Sequence, residues 1–151
     1  MTRTSQLGPP VPLACGHATG NLVAVRELRL SADLSSVREA RRWGRDTALD
    51  RGAVELEAGV VELLISEVVS NAVTHASAGA GAVVVLRVID EPCGLRVEVD
   101  DGGGGEPRRV FRPIGEGGLG LRLVADLASG WGVRRWHGGK TVWFRVDLGA
   151  Q

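Results

Sequence analysis

The chain has 151 residues, the length of one domain and enough to bury a real core. Basic and acidic side chains balance at 18 each, so the overall charge gives no motive for binding nucleic acid or an anionic membrane surface. Cys15 and Cys93 lack a second ligand at the short spacing of a zinc or redox motif, which argues against a structural metal site and against a disulfide framework. No apolar run reaches the roughly 18 residues of a membrane span or the core of a signal peptide, and the expected location is the cytoplasm.

Residues 1–20 hold prolines, glycines and small polar residues with no apolar period, and are expected to form a flexible tail. The run NLVAVRELRL at 21–30 predicts a strand, and SADLSS after it supplies helix-capping residues. SSVREARRWGRDTAL predicts a first helix that buries Val37, Ala40, Trp43 or Gly44, and Thr47 or Ala48, with Arg41, Arg42 and Arg45 toward solvent. Residues Glu55 to Ala76 predict a longer helix with an apolar stripe through Val60, Leu64, Val68, Ala72 and Val73. AVVVLRVI and LRVEVD read as antiparallel strands joined through Asp90–Gly94. A glycine-crowded loop follows, then an apolar helical pattern in LGLRLVADLAS, then WGVRRWH and TVWFRVDL flanking Gly138–Gly139 as a hairpin. The order strand, helix, helix, hairpin, helix, hairpin predicts an α+β two-layer sandwich, a mainly antiparallel sheet covered on one face by helices. No βαβ unit frames a glycine loop, which excludes a P-loop or dinucleotide-binding order.

Three constellations could carry chemistry. Glu67, Asn71 and His75 are spaced by four, so each step turns only about 40° and the three share one helix stripe. A carboxylate and a carboxamide one turn apart offer a general base and a hard oxygen ligand for Mg²⁺ beside a phosphate. The same stripe also suits a solvated polar edge, with His75 favoured by the helix dipole. Asp101 ends the strand LRVEVD, and alternation sends Val97, Val99 and Asp101 to one face and Arg96, Glu98 and Asp100 to the other. A carboxylate at the mouth of the apolar layer can accept the exocyclic amine of a purine, while Gly102–Gly105 let a flat base lie on bare backbone. A turn with a solvated Asp would read the same way. Gly115–Leu121 immediately precedes the third helix, where unpaired amides and the dipole can hold phosphates, or where glycines simply make a hinge.

In combination and order, E-x-x-x-N-A-x-x-H on a helix, D-x-G-x-G after a strand and G-x-G-L before a helix resemble the N, G1 and G2 boxes of the GHKL ATPases. The short lid and the ending Gly139-Lys140-Thr141-Val142-Trp143-Phe144 resemble the stand-alone anti-sigma regulatory serine/threonine kinases, over roughly residues 21 to 148 of a domain taken as 21–151. The resemblance implies a Bergerat fold that binds ATP and Mg²⁺. It implies that Asp101 takes the adenine amine and that Gly103 and Gly105 shape the base pocket. Asn71 would hold the metal, and Glu67 would deprotonate the acceptor hydroxyl. Gly118, Leu119 and Gly120 would form the phosphate-binding turn, Arg108–Gly117 the lid, and His75 would pack or hydrogen bond beside the nucleotide.

The partners it implies are a sigma factor and an anti-sigma-factor antagonist, with room for a homodimer and with no direct nucleic acid or membrane contact. Glu116 departs from the pattern, since a carboxylate there faces the phosphates and would weaken binding or slow transfer. No upstream helix with a phosphoacceptor His and no receiver-type domain is read in the chain, so a complete sensor histidine kinase is not expected. The alternative reading is a nucleotide-sensing binding module with weak or no catalysis. An Arg-rich first helix, with Arg38, Arg41, Arg42 and Arg45, gives a third and lesser reading as a DNA-associated regulator.

Overall fold

The computed structural model describes residues 23–75, 82–101, 119–136 and 139–149. The elements are β1 (Val25–Ser31), α1 (Ser35–Asp50), α2 (Glu55–His75), β2 (Val83–Glu91), β3 (Gly94–Asp101), α3 (Leu119–Leu127), β4 (Gly130–Trp136) and β5 (Gly139–Asp147). That is the order the sequence predicts. The strands form one five-stranded sheet, β1-β2-β3-β5-β4, with every neighbour antiparallel. β5 therefore inserts between β3 and its own hairpin partner β4.

Residues paired across antiparallel strands share a face. One row runs Leu28, Leu86, Val99 and Val142, and the next Val88, Val97, Phe144 and Trp131. Leu86, Val88, Val97, Val99 and Phe144 of these rows are fully buried. Over this face α1 packs on β1 and β2, α2 on β2, β3 and β5, and α3 on β4, with α2 touching both other helices. The opposite face carries charges in ion-paired rows, as an alternating strand with only one face against the core should. There Arg87 bridges Glu27 and Asp100, and Arg96 joins Glu98 while its guanidinium lies 4.5 Å from the centroid of the Trp143 ring.

α2 is buried more widely than one stripe. Leu64, Val68 and Ala72 are in the core as expected, but so are Ala58, Val61, Ile65 and Val69, while Val60 and Val73 are half-buried. The reason is that α2 meets α1 on one flank and the sheet beneath. α1 likewise buries Gly44 rather than Trp43, together with Ser36, Ala40, Thr47 and Ala48. Arg41 and Arg42 are exposed, but Arg45 is half-buried and paired with Glu55 and Glu62 of α2. Asp33 caps α1 from outside, accepting the Ser35 amide at 2.7 Å. Glu57 reaches back to the Val54 amide at 2.9 Å, the return half of a capping box at the start of α2.

Two expectations shift. Gly139 already pairs with Trp136, so it belongs to β5 and not to the turn before it. Cys93, in the two-residue connection of the β2–β3 hairpin with φ 70°, is disulfide-bonded, which corrects the expectation that the cysteines make no such link. No helix among the described residues is long and apolar enough to cross a membrane.

Candidate nucleotide site

Glu67 and Asn71 stand on α2, and His75 is its last residue. Glu62 and Ile65 mark the flank of α2 turned toward α1, through the Arg41 and Arg45 ion pairs and the contact of Ile65 with Gly44. At about 100° per residue, Glu67 lies some 200° on from Ile65 and Asn71 some 240° on. Both therefore face away from α1, toward the flank on which α3 packs. Each is half-buried, beside the fully buried Leu64 and Val68.

Asp101 is the last residue of β3, paired with Val84 on one side and Lys140 on the other. Val84 is fully buried, so Asp101 ends the row that faces the helices. Asp100 faces the other way. Its Oδ1 accepts the Thr141 hydroxyl at 2.6 Å, and its Oδ2 is ion-paired with Arg87. The strand parity read from the sequence thus separates two adjacent carboxylates, one committed to the outer ion-pair row and one at the end of the apolar layer. α2 returns to the same end of the sheet, because β2 begins at Val83, next to the residue paired with Asp101.

α3 begins at Leu119, so the helix start follows the glycine-rich segment directly, with Leu119 and Gly120 as its first two residues. A helix N-terminus of this kind presents unpaired amides to an anion. Gly103, Gly105 and Gly118, the lid Arg108–Gly117 and Glu116 lie outside the described residues.

The half-buried and buried carboxylates divide sharply. Glu57, Glu62, Asp90, Glu91, Glu98 and Asp100 each hold an Arg or a backbone amide. Glu67 and Asp101 hold no partner among the described residues, and neither does the Asn71 carboxamide. None of these three groups has a polar atom sealed from solvent, so each stays open to take a ligand without breaking a bond inside the fold. The donors fit the chemistry of a bound nucleotide. An acceptor stands at the end of β3, a carboxylate and a neutral hard oxygen stand on the helix flank, and amides stand at the start of α3. Sequence reading overlooked Lys140, which the β3–β5 register sets directly beside Asp101.

The family model described as a histidine kinase-like ATPase domain matches residues 30–146. Over 78 residues the chain is 46% identical to blue-light-activated histidine kinase 2 of Erythrobacter litoralis (strain HTCC2594), spanning 50% of this chain and 22% of that protein. Among solved structures, the RsbU and RsbW domains of Rv1364c from Mycobacterium tuberculosis superpose with a TM-score of 0.61 at 23% identity, over 85% of this chain and 34% of that one. The histidine kinase domain of the Erythrobacter litoralis EL346 blue-light-activated kinase gives 0.49 at 35% identity, over 61% of this chain and 45% of that one. The chain thus spans less than half the length of each of these relatives.

Proposed function

From the premise that this chain belongs to the histidine kinase-like ATPase domain family, whose members bind ATP, we propose that it is a regulatory serine/threonine kinase. Its substrate is a protein antagonist, and its second partner is a sigma factor that it sequesters in the cytoplasm. The observation that carries the reading is the pair of carboxylates, Glu67 and Asp101, that hold no partner among the described residues, where the other half-buried carboxylates are satisfied. In this reading Asp101 reads the base and Glu67 deprotonates the acceptor hydroxyl. The likeness to the M. tuberculosis RsbU and RsbW domains supports the fold.

In this reading Asp101 accepts the adenine amine at the end of β3, and Gly103 and Gly105 line the base. The amides at Gly118, Leu119 and Gly120 hold the phosphates, and His75 packs beside the nucleotide. Asn71 would hold Mg²⁺ with the phosphates, an ion that neutralises phosphate charge and that proteins commonly bind through one or two side chains plus the nucleotide. Glu67 accepts the proton of the serine or threonine hydroxyl as that oxygen attacks the γ-phosphorus, and ADP leaves with the electrons of the broken P–O bond. Catalysis is then mostly positioning, which a small domain can supply without a covalent intermediate.

The test is single-turnover transfer of labelled phosphate from ATP to a purified antagonist, run beside equilibrium ATP binding. Binding with transfer to a serine or threonine supports the kinase. Binding with no transfer to any candidate partner replaces it with a nucleotide-sensing module.

A further inference from the structure

The register that turns Asp101 toward the helices does the same for Lys140. β3 and β5 pair Asp100 with Thr141 and Asp101 with Lys140, and these neighbouring pairs stand on opposite faces of the sheet. The outward pair is closed, with the Thr141 hydroxyl donating to Asp100 at 2.6 Å and Arg87 covering the other carboxylate oxygen. The inward pair is open. Directly opposed residues of antiparallel strands hold their Cβ atoms about 4.5–5.5 Å apart, close enough for a carboxylate and an ammonium to meet. Yet no hydrogen bond or ion pair joins Asp101 to Lys140, or either of them to another described residue. Lys140 is half-buried and is the chain's one lysine. An ammonium held out of part of its water, beside an equally unpaired carboxylate, is a donor and an acceptor kept apart at the end of one apolar row.

We infer that Lys140 is a second base-reading residue, and that together with Asp101 it lets the pocket take guanine as well as adenine nucleotides. The inference rests on the assignment of Asp101 to the base. The two purines differ at position 6, an amine donor in adenine and a carbonyl acceptor in guanine. A carboxylate alone attracts the amine and repels the carbonyl. An ammonium alongside reverses that, donating to O6 with a charge-assisted bond while Asp101 turns to the ring N1–H and the 2-amino group. With adenine, Asp101 takes the amine and Lys140 donates to N1. Position 6 is therefore satisfied in both states, and neither purine leaves a buried polar group unpaired.

The experiment measures ATP and GTP affinity by equilibrium dialysis for wild type, Lys140→Ala, Lys140→Arg and Asp101→Asn. Expected is a wild type that binds the two nucleotides within about tenfold of each other, and a Lys140→Ala variant whose GTP-to-ATP affinity ratio falls by on the order of tenfold or more. Lys140→Arg, which keeps donors there, should restore much of the ratio. A wild type that rejects GTP overturns the inference, and so does a ratio unchanged by Lys140→Ala. Asp101→Asn separates the two levels. If it weakens ATP while the Lys140→Ala ratio stays put, only the role of Lys140 fails. If it leaves ATP affinity intact, the assignment of Asp101 to the base fails with it.

Discussion

Gly44 of α1 lies so close to Ile65 of α2 that a Cβ at position 44 would fall 2.1 Å from the Ile65 Cδ1. The missing side chain is what lets the two helices approach. Ile65 is fully buried, so its terminal methyl has little space to yield. Gly44→Ala gains up to about 1 kcal/mol of helix propensity but overpacks the contact at a cost of roughly 1–3 kcal/mol. The expected net effect is a loss of about 1 kcal/mol or more. Ile65→Val removes the offending methyl, and the next atom, Cγ1, stands at 3.5 Å, an ordinary contact. In that background Gly44→Ala should be neutral or stabilising. Urea denaturation of the two single variants and the double variant would show this coupling as non-additivity, and additive losses would refute it.

The element order and the antiparallel sheet were legible because β-branched alternation and the 3.6-residue period are local signals. So was the parity of Asp101, since Val97 and Val99 fix the inward face of β3 within a few residues. The breadth of the α2 interface was not. Ile65 is buried against Gly44 of α1, a contact no single-helix pattern encodes. Lys140 was missed for a similar reason. Its neighbour Asp101 reaches it only through the β3–β5 pairing, and the adjacent Asp100–Thr141 bond already spans 41 residues of sequence. Reading that pair needs to know that β5 enters between β3 and β4.

Acid should weaken the fold through its exposed ion pairs. Hydrogen bonds from Arg29 and then Arg87 hold the Glu27 carboxyl below its ordinary pKa, and the Ser35 amide does the same for Asp33. A carboxyl depressed in the folded state contributes stability that is fully present above its unfolded pKa and is lost as the pH falls through the folded one. The urea midpoint should therefore fall on acidification from about pH 5 to pH 3. Glu27→Gln should make that decline shallower. A variant whose acid limb overlays the wild type would show that Glu27 contributes nothing to it. Because these groups are exposed, added salt should shrink the difference.

Asp100 and Asp101 should separate function from stability. Asp100→Asn disrupts the ion pair with Arg87 on the outer face and should lower the unfolding midpoint while leaving nucleotide affinity unchanged. Asp101→Asn breaks no bond to another described residue, so stability should hold, but affinity for ATP should fall sharply as the charge-assisted bond to the base is lost. A fluorescent ATP analogue and a thermal melt on each variant provide the two readouts. Equal affinity in both variants would place the base elsewhere.

Nucleotide affinity should also depend on Mg²⁺, and Asn71→Ala should remove much of that dependence. The carboxamide is the neutral oxygen donor on the α2 flank, and it is unpartnered among the described residues. Titration of ATP with and without the ion, in wild type and variant, gives the result. A metal effect of the same size in both would show that other groups hold the ion.

Glu67→Ala should leave ATP affinity within a few fold and suppress phosphoryl transfer by on the order of 10²-fold or more. Glu67 is half-buried and holds no partner among the described residues, so its removal breaks no ion pair there and should not unfold α2. A base acts only as the acceptor hydroxyl attacks, which is why binding should survive its loss. Some rate should remain, because positioning and charge neutralisation at the phosphates persist without it. A variant that loses ATP binding in step with transfer would make Glu67 part of the nucleotide's own seat and leave the proton with another acceptor.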